Sequence, residues 1–324
     1  MKKQKKVEIA HIESDQFLLQ KLSHTNTIDL SNNDYQRLQY FKDCGLEFKK
    51  LDPVLGQLKY PLDLLDVDQI KSQLPEKIVR SITAIELESV VNSTNSTLLN
   101  FTKDQQHRRV CLAEYQNAGR GRQGRHWVAP FAAGICLSLG WALHKKVVQL
   151  QLISLLPTVA LIRVLKSIGV KNIGAKWPND VYCNNKKLAG ILIEVAANQS
   201  DVQSLVIGIG INVYSRTDML ANIDQPWTSL DQYLDSVPTR NQVTALLITE
   251  IFLLLLSVEQ NGLDGIREEW RQYDVLINKY VNVITGQGKE NGISRGINND
   301  GSISIEIDGK IKTFMSGEVS LRPV

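Results

Sequence analysis

With 324 residues, 43% of them hydrophobic and 22% charged, the chain has the make-up of a globular protein of two or three domains. That composition excludes a disordered or fibrous class, and a net charge of +3 is too balanced to argue for nucleic acid by itself. Four scattered cysteines, with no Cys-x-x-Cys pair and no partnered histidines, argue against a zinc site and for reduced thiols in the cytoplasm.

The lysine-rich start, Lys2 to Lys6, reads as a solubilising tail. No secretory signal follows it, because Glu8, His11, Glu13 and Asp15 interrupt Val7 to Gln16. Tyr35, Leu38 and Phe41 share one helical face, and Gly45 is placed to end that helix. Leu46 to Phe48 and Leu58 to Tyr60 predict two short strands around a turn at Asp52, Pro53 and Gly56. A helix followed by a hairpin is the second half of a winged helix, so residues 1–65 are assigned to a winged-helix-like domain. Pro61 to Pro75 reads as a connector.

Residues 66–273 mix strands and helices and are assigned to one α/β (α+β) domain built on a mixed sheet. Val110 to Ala113, Gly134 to Leu139, Gly190 to Val195 and Leu205 to Val213 are apolar runs suited to buried strands. Val147 to Ile168 is the most apolar stretch. Gln149, Gln151, Pro157, Arg163 and Lys166 make it a buried, kinked helix over Gln149 to Ser167 and not a membrane span. Thr239 to Gln242 forms a capping box before an apolar helix that reaches Val258. Residues 274–324 carry short strands at Val281 to Val283, Ser302 to Ile307 and Lys310 to Phe314, with turns at Asn299-Asp300-Gly301 and Asp308-Gly309. They suit a small SH3-like β-barrel.

Chemistry concentrates in a few segments. Ser93-Thr94-Asn95 can hydrogen-bond a neutral polar headgroup, or equally cap the helix that follows. Gly119, Gly121 and Gly124 formally match the dinucleotide fingerprint, but Arg122, Gln123, Arg125, His126 and Pro130 replace the apolar helix it requires. A flexible loop whose arginines close over an anion, with Trp127 as a latch, fits these residues better. In Lys176-Trp177-Pro178-Asn179-Asp180 the lysine can neutralise phosphates and the aspartate can hold Mg²⁺, or the two can form a surface salt bridge. Lys187 precedes a buried strand, where it can stabilise charge developing in acyl transfer. Gly208 and Gly210 share a strand face against which a flat ligand can lie, or which simply packs closely. No Ser-His-Asp, Cys-His or paired-carboxylate set stands out, which suits a reaction whose substrate supplies its own carboxylate nucleophile.

Taken in order, six segments resemble the biotin–protein ligases: Ser93 to Asn95, Ala113 to Trp127, Lys176 to Asp180, Lys187 to Gly190, Gly208 to Asn212 and Gly317 to Arg322. The resemblance implies a class II synthetase-like central domain that joins biotin to ATP, giving biotinyl-5′-AMP and pyrophosphate. The biotinyl group then passes to a lysine of a biotin carboxyl carrier protein, an acetyl-CoA carboxylase subunit. It implies biotin contacts from Ser93, Thr94, Asn95, Gln116, Gly119, Arg120, Arg122, Trp127, Lys187, Gly190 and Gly208. ATP would meet Arg120, Gly121, Arg122, Gly124, Arg125, Trp127, Lys176, Asn179, Asp180, Gly210, Asn212, Trp227 and Arg322, with Asp180 at Mg²⁺. Lys187, Arg122 and Asp180 would carry the catalysis.

Two departures, Gln123 and His126, stand where relatives carry basic residues and predict altered adenylate binding or release. Longer members of the family bind operator DNA and dimerise with adenylate bound. Here the corresponding helix offers Asn33, Gln36 and Arg37, with Asp34 set unfavourably for phosphate. A biotin-responsive repressor and a lipoate-type ligase on the same fold are the competing readings. The intact arginine loop counts against the lipoate-type one.

Overall fold

The computed structural model describes residues 15–144, 150–196, 202–216, 223, 225–286 and 288–323, so the lysine tail and Gln149 lie outside the described residues. Residues 15–25 form helix α1, which buries Leu18, Leu19 and Leu22 along one stripe. After β1 (Thr27–Asp29) comes α2 (Asn32–Asp43), whose N-terminus is capped by Ser31 Oγ accepting from Asp34 N at 3.3 Å. Leu38 and Phe41 are buried as their spacing predicts. Strands β2 (Phe48–Leu51) and β3 (Leu55–Leu58) complete an antiparallel sheet of order β1-β3-β2.

This hairpin lies inside the span expected to be a turn. Asp52 Oδ1 accepts from Val54 N (2.9 Å) and Leu55 N (2.8 Å), which tightens the reversal to Asp52–Leu55. Gly56 therefore belongs to β3, packed beneath Leu38, and not to the turn.

The expected connector, Pro61 to Pro75, contains helix α3 (Val67–Gln73), and α4 (Glu76–Ser81) follows directly after it. Asp66 Oδ1 caps α3 by accepting from Gln69 N at 2.8 Å. The central sheet has seven strands: β4 (Ala84–Val91), β5 (Arg109–Gln116), β6 (Gly134–His144), β7 (Ile173–Lys176), β8 (Asp180–Cys183), β9 (Lys186–Val195) and β10 (Val202–Asn212). Their order is β4-β5-β6-β10-β9-β8-β7, with β4 and β5 parallel and every other pair antiparallel. Helices α5 (Thr94–Leu99) and α6 (Lys103–Gln106) cross from β4 to β5.

The single kinked helix expected near Pro157 is two helices, α7 (Leu150–Ile153) and α8 (Leu156–Ser167). Pro157 sits in the first turn of α8, where its missing N–H costs nothing. The capping box of Thr239 and Gln242 opens α9 (Arg240–Asn261), which runs three residues past Val258. At 22 residues α9 is long and apolar enough to cross a membrane, but it buries Leu247, Ile251, Phe252 and Leu255 in the core. Helix α10 (Asp264–Gln272) leads out of this domain.

The last unit is an antiparallel five-stranded sheet of order β14-β13-β12-β11-β15, the SH3-like barrel of the sequence expectation. Its strands are β11 (Tyr280–Thr285), β12 (Gly288–Ile297), β13 (Ile303–Ile307), β14 (Lys310–Phe314) and β15 (Ser320–Pro323). Ile303, Ile305 and Ile307 face inward. Asp308 and Gly309, both left-handed (φ 49° and 72°), form the β13–β14 turn. The barrel is stitched to the edge of the central sheet, Ala175 N donating to Tyr273 O (2.7 Å) and Val275 N to Ala175 O (2.9 Å).

A buried ion pair fixes the linker to the central domain. Arg240 Nη1 lies 2.6 Å from Glu114 Oε2 and 2.6 Å from Asp63 O, and Arg240 Nε donates to Gly134 O at 2.8 Å. Glu114 Oε1 accepts from Leu65 N at 2.7 Å. The N-terminal unit packs beside it, the rings of Phe41 and Phe131 tilted at 58° with centroids 4.9 Å apart.

Candidate active site

One cavity of about 370 Å³ opens on the face of β9 and β10 away from α8 and α9. At one end Ser93, Thr94 and Asn95 start α5. Gln116 Oε1, from the end of β5, accepts from Thr94 N (2.9 Å) and Thr94 Oγ1 (3.2 Å). Ser138 Oγ, from β6, lies 2.7 Å from Thr94 Oγ1 and 2.5 Å from Asn95 Oδ1. The helix start and the polar end of the cavity are thus one structure, but no side chain of this cluster caps α5, and its hydroxyl and amide groups bond to Gln116 and Ser138 instead.

The other end is cationic. The β7–β8 hairpin turns through Trp177 to Asn179 and presents Lys176 and Asp180 side by side as cross-strand partners. Lys187 Nζ lies 2.8 Å from Asp180 Oδ1 and 5.8 Å above the Trp127 ring. Lys176 is 9% exposed, and its ammonium donates to Tyr182 OH at 3.0 Å. Burial pulls its pKa from 10.5 to about 8, with Asp180 opposing the shift and Lys187, Arg125 and Arg322 adding to it. Burial likewise lowers Arg122 below its usual range, Asp180 opposing. Arg122 Nη1 donates to Asn179 Oδ1 at 3.3 Å, and Asn179 is fixed in turn through its Nδ2 to Ile191 O.

The glycine-arginine loop closes over this cavity as a narrow hairpin. Trp127 N donates to Gly119 O (2.9 Å), Gly121 N donates to Arg125 O (2.7 Å), and Arg120 and His126 form a bridge. Its tip docks on the barrel, Gln123 Nε2 donating to Gly317 O (3.0 Å) and Arg125 Nη2 to Ser320 Oγ (3.0 Å). Val319, Ser320 and Leu321 therefore line the same cavity as Thr94.

Of the residues proposed from sequence for biotin or ATP, all but Gly119, Gly124 and Arg322 line this cavity. Gly119 pairs its backbone with Trp127, and Gly124 takes the left-handed turn at the loop tip (φ 71°). Arg322, on β15, stands outside the lining, although its charge reaches Lys176 and Tyr182.

Of the two readings of Gly208 and Gly210, the structure shows the close packing. A Cβ on Gly210 would overlap the Trp127 indole, and one on Gly208 would overlap the Asn95 amide. The bare backbone makes room for protein side chains, which then face the ligand space. Arg120 differs from its expected use, because its Nη2 donates to Glu194 Oε2 at 2.6 Å and its charge is already paired.

Asp180, offered as a magnesium ligand, is engaged by Lys187. Among the described residues no group of three or more His, Cys, Asp or Glu could hold a metal. Asp180 would hold Mg²⁺ only together with phosphate oxygens of ATP, as suits an ion that takes one or two carboxylates beside substrate phosphates.

Trp227 joins the cavity through a bridge to Lys187, and Asn212 Nδ2 steadies that segment by donating to Thr228 O at 2.9 Å. Ser138, Tyr182 and Glu194 were missed from sequence. Glu194 had a signal, since period-two alternation along β9 puts it on the face of Gly190 and Leu192.

At the N-terminal unit, Asn33 and Gln36 are exposed on α2, but Arg37 is ion-paired with Asp15 and lies 3.7 Å from Asp34. Helices α1 and α2 are separated by β1 instead of the short turn of a helix-turn-helix.

Comparison with known proteins agrees with this geometry. Residues 87–212 match the Biotin/lipoate A/B protein ligase family, and residues 276–322 match the Biotin protein ligase C terminal domain. The bifunctional ligase/repressor BirA of Salmonella typhimurium is 37% identical over 89% of this chain and 88% of its own length. BirA of Escherichia coli is 36% identical over 89% and 87%. The solved biotin protein ligase from Aquifex aeolicus in complex with biotin and ATP superposes with a TM-score of 0.64 at 27% identity, covering 74% of this chain and 99% of that one. With a relative above one-third identity across most of both chains, and with the family's motifs gathered around one cavity, the chain belongs to the biotin protein ligases.

Proposed function

We propose that the chain activates biotin with ATP and transfers it to a lysine of a biotin carboxyl carrier protein. The supporting observation is the polarity of this cavity, neutral hydrogen-bonding groups at one end and Lys176, Lys187, Arg122 and Arg125 at the other. The biotin ring would lie against Thr94, Asn95 and Gln116, and its carboxylate would reach Lys187. One carboxylate oxygen attacks the α-phosphorus of ATP, the bond to the bridging oxygen breaks, and pyrophosphate leaves. Lys187 and Arg122 would offset the negative charge that brings the two anions together, Lys176 would hold the phosphate tail, and Trp227 would meet the adenine. The neutral ε-amine of the acceptor lysine then attacks the acyl carbon of biotinyl-5′-AMP. An amide forms, AMP departs, and the amine proton goes to AMP or solvent.

The working units are the proposed domains 1–65, 66–273 and 274–324, the last supplying Val319 to Leu321 to the cavity. Four free, buried cysteines suit a cytoplasmic enzyme. The test is biotin-dependent ATP–pyrophosphate exchange, followed by labelling of a purified carrier domain. Wild type is expected to do both, while Lys187→Ala and Arg122→Ala lose activity at least about 100-fold. Exchange that is absent in the wild type, or unchanged in both variants, rejects the reading.

A second reading, operator binding by an adenylate-induced dimer, is favoured by the exposed Asn33 and Gln36 and by BirA relatives named ligase/repressor. Sedimentation and DNA binding with and without biotinyl-5′-AMP test it. Arg37, being paired, is expected to contribute little to the salt dependence.

A further inference from the structure

We propose that Glu194 is a positioning residue that ties the glycine-arginine loop to the polar end of the cavity. Its meaning for catalysis rests on the ligase reading above, but the contact stands without it. Glu194 Oε2 accepts both from Arg120 Nη2 (2.6 Å) and from Asn95 Nδ2 (2.8 Å). Asn95 continues through Ser138 Oγ (2.5 Å) to Thr94 Oγ1 (2.7 Å), and Thr94 to Gln116. One carboxylate oxygen is thereby shared between the loop and the side chains proposed to receive the biotin ring. Displacing either donor changes the geometry available to the other.

The charges explain why such a tether is useful. The loop brings Arg120, Arg122 and Arg125 toward Lys176 and Lys187, where like charges repel it from the cavity. Glu194 neutralises the cation at the base of the loop and leaves the others for phosphate. The Arg120 and Glu194 side chains are 39% and 23% exposed, so solvent screens the pair and its worth to global stability is small. Its effect is on where the loop rests. A charge-assisted, directional bond holds the loop base over the cavity, so that a reactive adenylate is retained when the acceptor lysine is absent.

The experiment is tryptic cleavage of the full chain at Arg122 and Arg125, free and with biotin. It is run beside biotin-dependent pyrophosphate exchange and adenylate release. Glu194→Gln keeps an oxygen for Asn95 but removes the charge. It is expected to raise loop cleavage roughly tenfold, raise the biotin KM roughly fivefold with kcat nearly unchanged, and speed adenylate release by a similar factor.

Arg120→Gln reaches the same contact from the exposed side. The double variant is expected to match either single one, since both remove one interaction. Cleavage at the wild-type rate in Glu194→Gln, or effects that simply add in the double variant, overturns the proposal. If the wild type shows no pyrophosphate exchange, the ligase reading fails while cleavage and its coupling still decide the tether.

Discussion

Lys176 is held where burial works against its own charge, and that gives the site a pH signature. Its pKa in the folded protein is about 8, below the ordinary 10.5. Two consequences follow with opposite signs. The unfolded chain binds the extra proton between pH 8 and 10.5, so Lys176 contributes stability above that window and loses it as pH falls through 8. Phosphate binding runs the other way, because the ammonium that would meet ATP disappears as pH rises through 8. The kcat/KM for ATP is expected to fall with a midpoint near pH 8, and Lys176→Met to be low and flat over the same range; steady-state profiles from pH 6.5 to 9.5 check this. Lys176 and Lys187 were legible in the sequence because residue type and strand-end placement carry the chemistry. Ser138 and Tyr182 were not, because their roles arise only when separate strands meet, and for Glu194 the alternation along β9 showed its face but not its partners. Ser138 reaches Asn95 across 43 residues of chain.

The strands that were legible from sequence are β5, β6, β9, β10, β11 and β13, whose apolar or alternating side chains report burial, and β14, which follows the Asp308-Gly309 turn. β12 was hidden because its run from Gly288 to Ile297 has glycines and charges in place of a repeating apolar face. The first hairpin was misplaced because its turn is set by the Asp52 side chain, a local bond that hydrophobic spacing does not reveal. The junction between α10 and β11 holds a further hidden feature, Asp274. One of its oxygens accepts from Leu276 N at 2.8 Å, and the other is buried without a partner. Burial raises its pKa from 3.8 to about 6, with its backbone hydrogen bonds opposing. The folded state therefore binds the extra proton between pH 4 and 6, and stability drains away as pH rises through that window. Asp274→Asn keeps the bond to Leu276 and removes the charge. It is expected to stabilise the protein by about 1–3 kcal/mol at pH 7.5 and by almost nothing at pH 4, read from urea midpoints.

Across the whole molecule, Arg240 and Glu114 are the fastening between the linker, the sheet and α9, with side chains 0% and 5% exposed. Removing one partner leaves a buried charge alone. Arg240→Met is expected to cost about 3–5 kcal/mol in urea unfolding. Adding Glu114→Gln to it should return part of that loss, and a double variant no more stable than the single would show that packing, not charge, was lost. The SH3-like fold of the tail was readable from sequence, but the way it shares one site with the central sheet was not, since no local pattern announces that Ser320 will meet Arg125. That shared wall has a consequence in time. During synthesis the sheet through Asn212 emerges well before Val319 to Leu321, a delay of roughly 5–20 s at ordinary translation rates. Over that interval the nascent chain has most of its cationic groups but lacks one wall of the chamber.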